Sequence, residues 1–266
     1  MAAQVQVAGL RVVATDGRGN ETTLVHDVGF HAAAGEVVAL IGESGSGKST
    51  TALALMGYAR PGCRIAAGEI RIGDTDVRSL DERALRALRG RRVAYVAQSA
   101  AAAFNPARTL LQQVIESPLL HAQMDRSSAR RRALELFAVL ALPDPERIGA
   151  RYPHEVSGGQ LQRALAAMAL IGSPEVVIFD EPTTALDVTT QVEVLRAFRD
   201  ALRATGATAV YVSHDLAVVA QMADRIVVLH QGRVREDAAC GALLASPQDA
   251  YTQSLLAAAR PRPAAS

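Results

Sequence analysis

The run Gly42-Glu43-Ser44-Gly45-Ser46-Gly47-Lys48-Ser49 follows a short apolar segment, 36–41, and precedes a helical pattern over 48–57. A glycine-rich turn therefore joins a buried strand to a helix, and few other features limit a fold so tightly. The glycines let successive backbone N–H groups converge on an anion, and the N-terminus of the helix adds the positive end of its dipole. Lys48 has the reach to touch the terminal phosphates of a nucleoside triphosphate, Ser49 is a hydroxyl ligand for magnesium, and Thr50 continues the polar set into the helix. ATP and Mg2+ are the expected ligands.

A second constellation lies 130 residues on. The run Val176-Val177-Ile178-Phe179-Asp180-Glu181 is an apolar strand ending in two carboxylates. In a parallel sheet that places both at the carboxyl edge, where ligands bind and where the phosphate loop also sits. Asp180 is expected to hold magnesium through water, and Glu181, one residue beyond the strand, to polarise a water for attack on the γ-phosphate.

The remaining pattern agrees with such a sheet. Residues 4–14 and 22–32 are strand-like and flank a turn signal at 16–20, which predicts a small antiparallel sheet at the start. Residues 93–97, 176–180, 208–213 and 225–230 read as buried strands, whereas 107–114, 127–141, 159–171, 188–203 and 216–222 carry helical periodicity. Strands alternating with helices imply a mostly parallel α/β core. The expected division is a core made of 1–97 and 174–256, a helical insertion over 98–173, and a tail at 257–266 without a core pattern.

Between the two nucleotide elements lies Val156-Ser157-Gly158-Gly159-Gln160. This segment resembles the signature motif of ABC-type ATPases, and the order around it matches that family. Gln98 resembles the Q-loop, Ala185-Leu186-Asp187 the D-loop, and His214 in Val212-Ser213-His214-Asp215 the switch histidine. The resemblance covers nearly the whole chain and implies a phosphate-loop, RecA-like core with an N-terminal antiparallel β subdomain and an inserted helical subdomain. It also implies catalytic roles for Glu181, His214 and Gln98, and magnesium ligation by Ser49, Gln98 and Asp180. Nucleotide contacts are implied from Gly42 to Thr50, and across a head-to-tail dimer from Ser157, Gly158, Gly159, Gln160 and Asp187. Physically, Ser157 and its glycines open a helix whose amide dipoles can face a γ-phosphate without a lysine.

Three further places are similar to the oligopeptide, dipeptide and nickel importer branch: Ala103-Phe104-Asn105-Pro106, Tyr152-Pro153-His154-Glu155, and Asp180 to Asp187. The segment 246–256 resembles that branch's closing motif, except that Asp249 and Ala250 stand where a histidine and a proline usually precede the Tyr-Thr pair. The resemblance implies a second, non-identical ATPase subunit, membrane permease subunits docked near Gln98 and Phe104, and indirectly a solute-binding protein. The expected location is the cytoplasmic face of a bacterial inner membrane. One departure is clear: the family stacks adenine on an aromatic in the N-terminal sheet, whereas no aromatic occurs before Phe30. Val12, Val13 or Ala14 would then offer only apolar packing.

Bulk properties exclude several classes. Lys and Arg number 28 against 27 Asp and Glu, a net charge of +1, so nothing draws the chain to nucleic acid in bulk. An ABC-type ATPase of DNA repair or translation is the alternative reading. It would call for a coiled-coil insertion or a basic arm, and neither a sustained heptad series nor a basic run beyond Arg130-Arg131-Arg132 occurs. The N-terminus does not read as a signal peptide, and no stretch approaches the ~18 apolar residues of a membrane helix. Cys63 and Cys240 stand far apart, without metal or disulfide spacing, and an iron–sulfur centre is not expected.

Overall fold

The computed structural model describes residues 5–259. Among the described residues there are ten strands: β1 Val5–Thr15, β2 Glu21–Ala32, β3 Val37–Ile41, β4 Cys63–Ile72, β5 Thr75–Asp76, β6 Val93–Val96, β7 Val176–Asp180, β8 Thr208–Ser213, β9 Arg225–His230 and β10 Arg233–Ala239. The helices are α1 Lys48–Ala54, α2 Glu82–Leu88, α3 Ala100–Ala103, α4 Leu110–Val114, α5 Glu116–Leu120, α6 Arg126–Val139, α7 Pro145–Gly149, α8 Gly158–Leu170, α9 Val188–Thr205, α10 Leu216–Met222, α11 Cys240–Ala245 and α12 Ala250–Ala259.

Two sheets form. The first is antiparallel, in the order β2-β1-β4-β5. The second runs β10-β9-β3-β8-β7-β6 and is parallel except for its β9–β10 pair. The period-two alternation of strand side chains divides the interior. Val38 and Leu40, Val176 and Ile178, Val210 and Val212, and Val227 and Leu229 pack with α1 and the antiparallel sheet. Their neighbours Val177, Phe179, Ala209 and Tyr211 face α6, α8 and α9 on the other side, where the rings of Phe179 and Phe198 lie 5.0 Å apart. Helices α10, α11 and α12 cover Ile41, Ile226 and Val228 at the β9 end.

Several sequence readings change. The α/β character and both sheets are as expected, but β4, β5 and β10 were not anticipated. Strand β4 carries three charged interruptions and a glycine in CRIAAGEIRI and is half-exposed, so no clean alternation marks it. Helix α1 stops at Ala54 rather than Gly57, because Gly57 takes φ +61° under Leu85. The helix expected from 107 starts at Leu110, capped by Thr109 and Gln112. Helix α12 continues through Ala259, so 257–259 belong to it; residues 260–266 of the expected tail, and Gln4 of the first strand, lie outside the described residues. Phe104, expected on a docking surface, is 4% exposed and lies in the helical core.

At one point β1 and β4 touch backbone to backbone. Gly9 and Gly68 both have positive φ, and a Cβ on Gly68 would fall 2.5 Å from Leu10 Cα and 2.6 Å from the Gly9 carbonyl. The register shifts here between Ala8 and Arg11. Gly68→Ala is expected to lower unfolding stability by about 1–3 kcal/mol through backbone strain, measured as a lower urea midpoint.

Candidate active site

The phosphate loop is built on contacts that only glycine allows. Gly42, at φ +148°, lies so close to β9 that a Cβ would be 2.0 Å from the Leu229 carbonyl. Gly47, at φ +96°, begins α1 beneath β2. Across the loop, the Gly232 amide donates to the Ser46 carbonyl at 3.1 Å, and His26 N–H to the Gly232 carbonyl at 2.7 Å. The amides of Ser44, Gly45, Gly47, Lys48, Ser49 and Thr50 find no acceptor among the described residues. A row of free donors at a helix start is what a polyphosphate requires.

Lys48 is 5% exposed, and its Nζ donates to the carbonyls of Gly42 and Glu43, each at 2.8 Å. Burial pulls its pKa down, against the pull of Glu181, Asp180 and Glu43. Glu43 contributes its carbonyl to this arrangement, while its amide donates to the Tyr251 hydroxyl at 3.2 Å. The Ser46 hydroxyl is buried without a partner.

Asp180 lies on the α1 side of β7, by the same parity as Val176 and Ile178, and this brings it to Ser49. The Ser49 hydroxyl donates to Asp180 Oδ1 at 2.8 Å, and the Tyr95 hydroxyl, on the same face of neighbouring β6, donates to Oδ2 at 2.8 Å. Burial pushes the Tyr95 phenol well up, and the Asp180 charge adds to the effect, so Tyr95 stays a donor. Sequence reading missed Tyr95, although its place in a parallel strand with the right parity is a usable signal. Magnesium prefers hard oxygen ligands and keeps waters and phosphates in its shell. The Ser49 hydroxyl and Asp180 carboxylate fit that preference; among the described residues no cluster of three His, Cys, Asp or Glu competes for it.

Glu181 starts the turn after β7 with φ +49°, a region that costs a non-glycine residue strain of about 1–3 kcal/mol. Its amide is tied to the Val212 carbonyl at 3.0 Å. The carboxylate then meets three groups from separate segments: Oε1 pairs with His214 Nδ1 at 3.1 Å, and Oε2 accepts from Gln98 Nε2 at 3.4 Å and from the Thr184 hydroxyl at 3.3 Å. Gln98, Glu181 and His214 are thus brought together, and Thr184 joins them unanticipated. Leu24, Ser44, Gly45, Gly47, Lys48, Ser49, Thr50, Arg60 and Glu181 line an open crevice of about 290 Å3.

The signature residues stand elsewhere. Ser157 caps α8, its hydroxyl accepting from Gln160 N–H at 3.2 Å while Gln160 Oε1 accepts from Ser157 N–H at 3.0 Å. That reciprocal cap occupies the Gln160 side chain. Ser157 and Gly158 are exposed, whereas a Cβ on buried Gly159 would meet Thr190 at 2.4 Å. Asp187 caps the adjacent α9, and hydrogen bonds from Thr190 hold its carboxyl below the usual range. None of Ser157, Gly158, Gly159, Gln160 or Asp187 lines the crevice. Val12 and Val13, expected beside the base, are each 1% exposed and cannot face a ligand; Leu24 and Arg60 line the crevice instead. Arg60 was reachable from sequence only through the β1–β4 pairing, which sets Cys63 opposite Ala14.

Comparison with known proteins agrees with this geometry. Residues 25–184 match the family described as ABC transporter. The probable peptide ABC transporter ATP-binding protein y4tR of Sinorhizobium fredii is 39% identical over 90% of this chain and 72% of its own length. The glutathione import ATP-binding protein GsiA of Pectobacterium atrosepticum is 40% identical over 91% of this chain, which spans 40% of that protein. The oligopeptide transport ATP-binding protein AppD of Bacillus subtilis is 40% identical, with 87% and 71% covered. Among solved structures, a dimeric post-hydrolysis state of the cassette MJ0796 with ADP and Pi superposes with a TM-score of 0.76 at 27% identity, covering 89% of this chain and 98% of that one. With a phosphate loop, two carboxylates at one strand end and an exposed start to the signature helix in a single cassette, the chain belongs to the ABC transporter family as an ATP-binding, ATP-hydrolysing subunit.

Proposed function

We propose that this chain energises an importer for peptide-like solutes. The observation that carries the reading is half of an active site: phosphate loop and Glu181 line one crevice with Asp180 bonded to Ser49 at its wall, while the chain's own signature start faces outward, able to close on another subunit. Peptide rather than nickel is favoured by the peptide and glutathione transport named in its relatives. The partners in this reading are a second, non-identical ATPase, membrane permease subunits and, indirectly, a solute-binding protein, with the chain on the cytoplasmic membrane face. No helix among the described residues is long and apolar enough to cross a membrane, so attachment falls to the permease. We divide the chain into a nucleotide core of 1–97 and 174–256 and a helical subdomain of 98–173.

In this reading the free amides of the phosphate loop and Lys48 take the β- and γ-phosphates, and Ser49, Asp180 and Gln98 hold magnesium. When bound, the ion neutralises charge between those phosphates. Glu181 orients the attacking water and accepts its proton; His214, at 3.1 Å, holds the carboxylate toward the γ-phosphate and senses its loss. Ser157, Gly158 and Gly159 of the partner copy supply amide dipoles to the γ-phosphate, with Gln160 fixing their helix start and Asp187 lying at the same interface. A groove lined by Arg108, Gln112, Ile115, Glu116, Leu119, Leu120 and Arg126 receives a cytoplasmic helix of the permease; Leu120 is 78% exposed there.

Glu181→Gln should leave ATP binding intact and slow steady-state hydrolysis by the assembled transporter by roughly 10²–10⁴-fold. Near-normal turnover would remove Glu181 from the role. In the purified complex, a cysteine replacing Leu120 should crosslink to the permease and one replacing Phe104 should not, while hydrolysis should be stimulated by peptides. The isolated chain should hydrolyse ATP poorly, with specific activity rising with concentration. Leu24 and Arg60 give the base a mixed apolar and cationic wall in place of an aromatic stack. Stacking adds about 0.5–1.5 kcal/mol, so ATP should outcompete GTP by less than about tenfold in equilibrium titrations.

A further inference from the structure

The last helix touches the nucleotide loop. Helix α12 is fastened at its start to β10: Glu236 accepts from the amides of Gln248 at 2.9 Å and Asp249 at 3.1 Å, and Asp249 in turn caps Tyr251 and Thr252 at 2.8 and 3.1 Å. Leu255 and Leu256 pack with Ile41, the residue before Gly42, and with Val228. From that position the Tyr251 ring lies 3.9 Å, centroid to centroid, from His230 at the end of β9, and its hydroxyl accepts the Glu43 amide at 3.2 Å.

Glu43 is the hinge of the loop's first turn. Its carbonyl takes Lys48 Nζ at 2.8 Å and the Ser46 amide at 3.1 Å, so with Tyr251 on its amide both sides of the residue are committed. The amides that follow, from Ser44 to Thr50 except Ser46, stay free for an anion. Tyr251 thus binds a loop amide that, like that of Ser46, lies outside the free set and holds the loop's shape, across 208 residues of sequence. We propose that Tyr251 is a positioning residue for nucleotide: the C-terminal helix pre-forms the phosphate loop through this hydroxyl. Because the coupling is reciprocal, nucleotide in the loop also fastens α12. The proposal rests on the family's nucleotide binding, not on the importer reading.

Titration of the purified full chain with Mg·ADP tests it, since the loop amides and Lys48 that would meet its phosphates all come from this one chain. Tyr251→Phe keeps the ring against His230 and removes only the hydroxyl; its Kd should rise about two- to tenfold, the range of one net hydrogen bond, with the ligand-free Tm unchanged. Thr252→Val, which alters the same helix at a buried hydroxyl without touching the loop, should bind Mg·ADP as the parent does. Hydrogen exchange across 250–259 should slow on adding Mg·ADP in the parent chain and less so in Tyr251→Phe. An unchanged or lower Kd in Tyr251→Phe, or an equal rise in Thr252→Val, overturns the proposal; a lower Kd would mean that the hydroxyl competes with nucleotide.

Discussion

A buried ammonium organises this molecule. Lys48 is nearly sequestered from water, and an isolated cation in such a place would cost several kcal/mol. The structure answers with two carbonyls at 2.8 Å and with the nearby charges of Asp180, Glu181 and Glu43. Those carbonyls belong to Gly42 and Glu43, so the loop must curl back over its own lysine, and that curl forces Gly42 against the Leu229 carbonyl. The curl also leaves the later amides without acceptors. One charge thus goes with a glycine at 42, a close approach of the loop to β9, and an anion-binding row of N–H groups.

The same electrostatic logic explains why half of the site lies outside the crevice. The carboxylates beside Lys48 offset its charge in the absence of ligand, but a triphosphate brings more negative charge than one lysine and one helix terminus can meet. Ser157 and Gly158 open α8 as a second, exposed helix terminus. Their geometry is nonetheless firm. The reciprocal cap with Gln160, and Gly159 pressed on Thr190, fix α8 to α9, whose own cap is Asp187.

The sequence made the parallel sheet legible because its strands are buried on both faces and read as unbroken apolar runs; 176–180 and 208–213 are examples. Strands β4 and β10 escaped notice because each has one wet face interrupted by Arg, Glu and Asp, and β4 contains a bulge at Gly68. Motifs with fixed spacing located Lys48, Ser49, Asp180 and Glu181. Groups that reach the site from unrelated positions, such as Tyr95, Arg60 and Tyr251, depend on sheet order and register, and local periodicity carries neither. The misplacement of Val12 and Val13 has the same origin, since the bulges in β1 turn both inward.

Two of the seven non-glycine residues with positive φ among the described residues follow strands at the ligand edge of the sheet. Glu181, at φ +49°, leads directly from β7, and Gln231, at the same φ, follows β9. Both lie at the carboxyl edge of the sheet, and each is stitched to a neighbouring strand or loop: Glu181 to Val212, and the Gln231 turn, through Gly232, to Ser46 and His26. A left-handed non-glycine residue persists only where surrounding bonds over-determine it. At Glu181 this conformation swings the carboxylate from the strand axis toward Gln98 and His214, which an extended residue following Asp180 would direct to the opposite face of the sheet. The strain thus sets two consecutive carboxylates beside one site, Asp180 buried on Ser49 and Glu181 lining the crevice, an arrangement that strand alternation alone forbids.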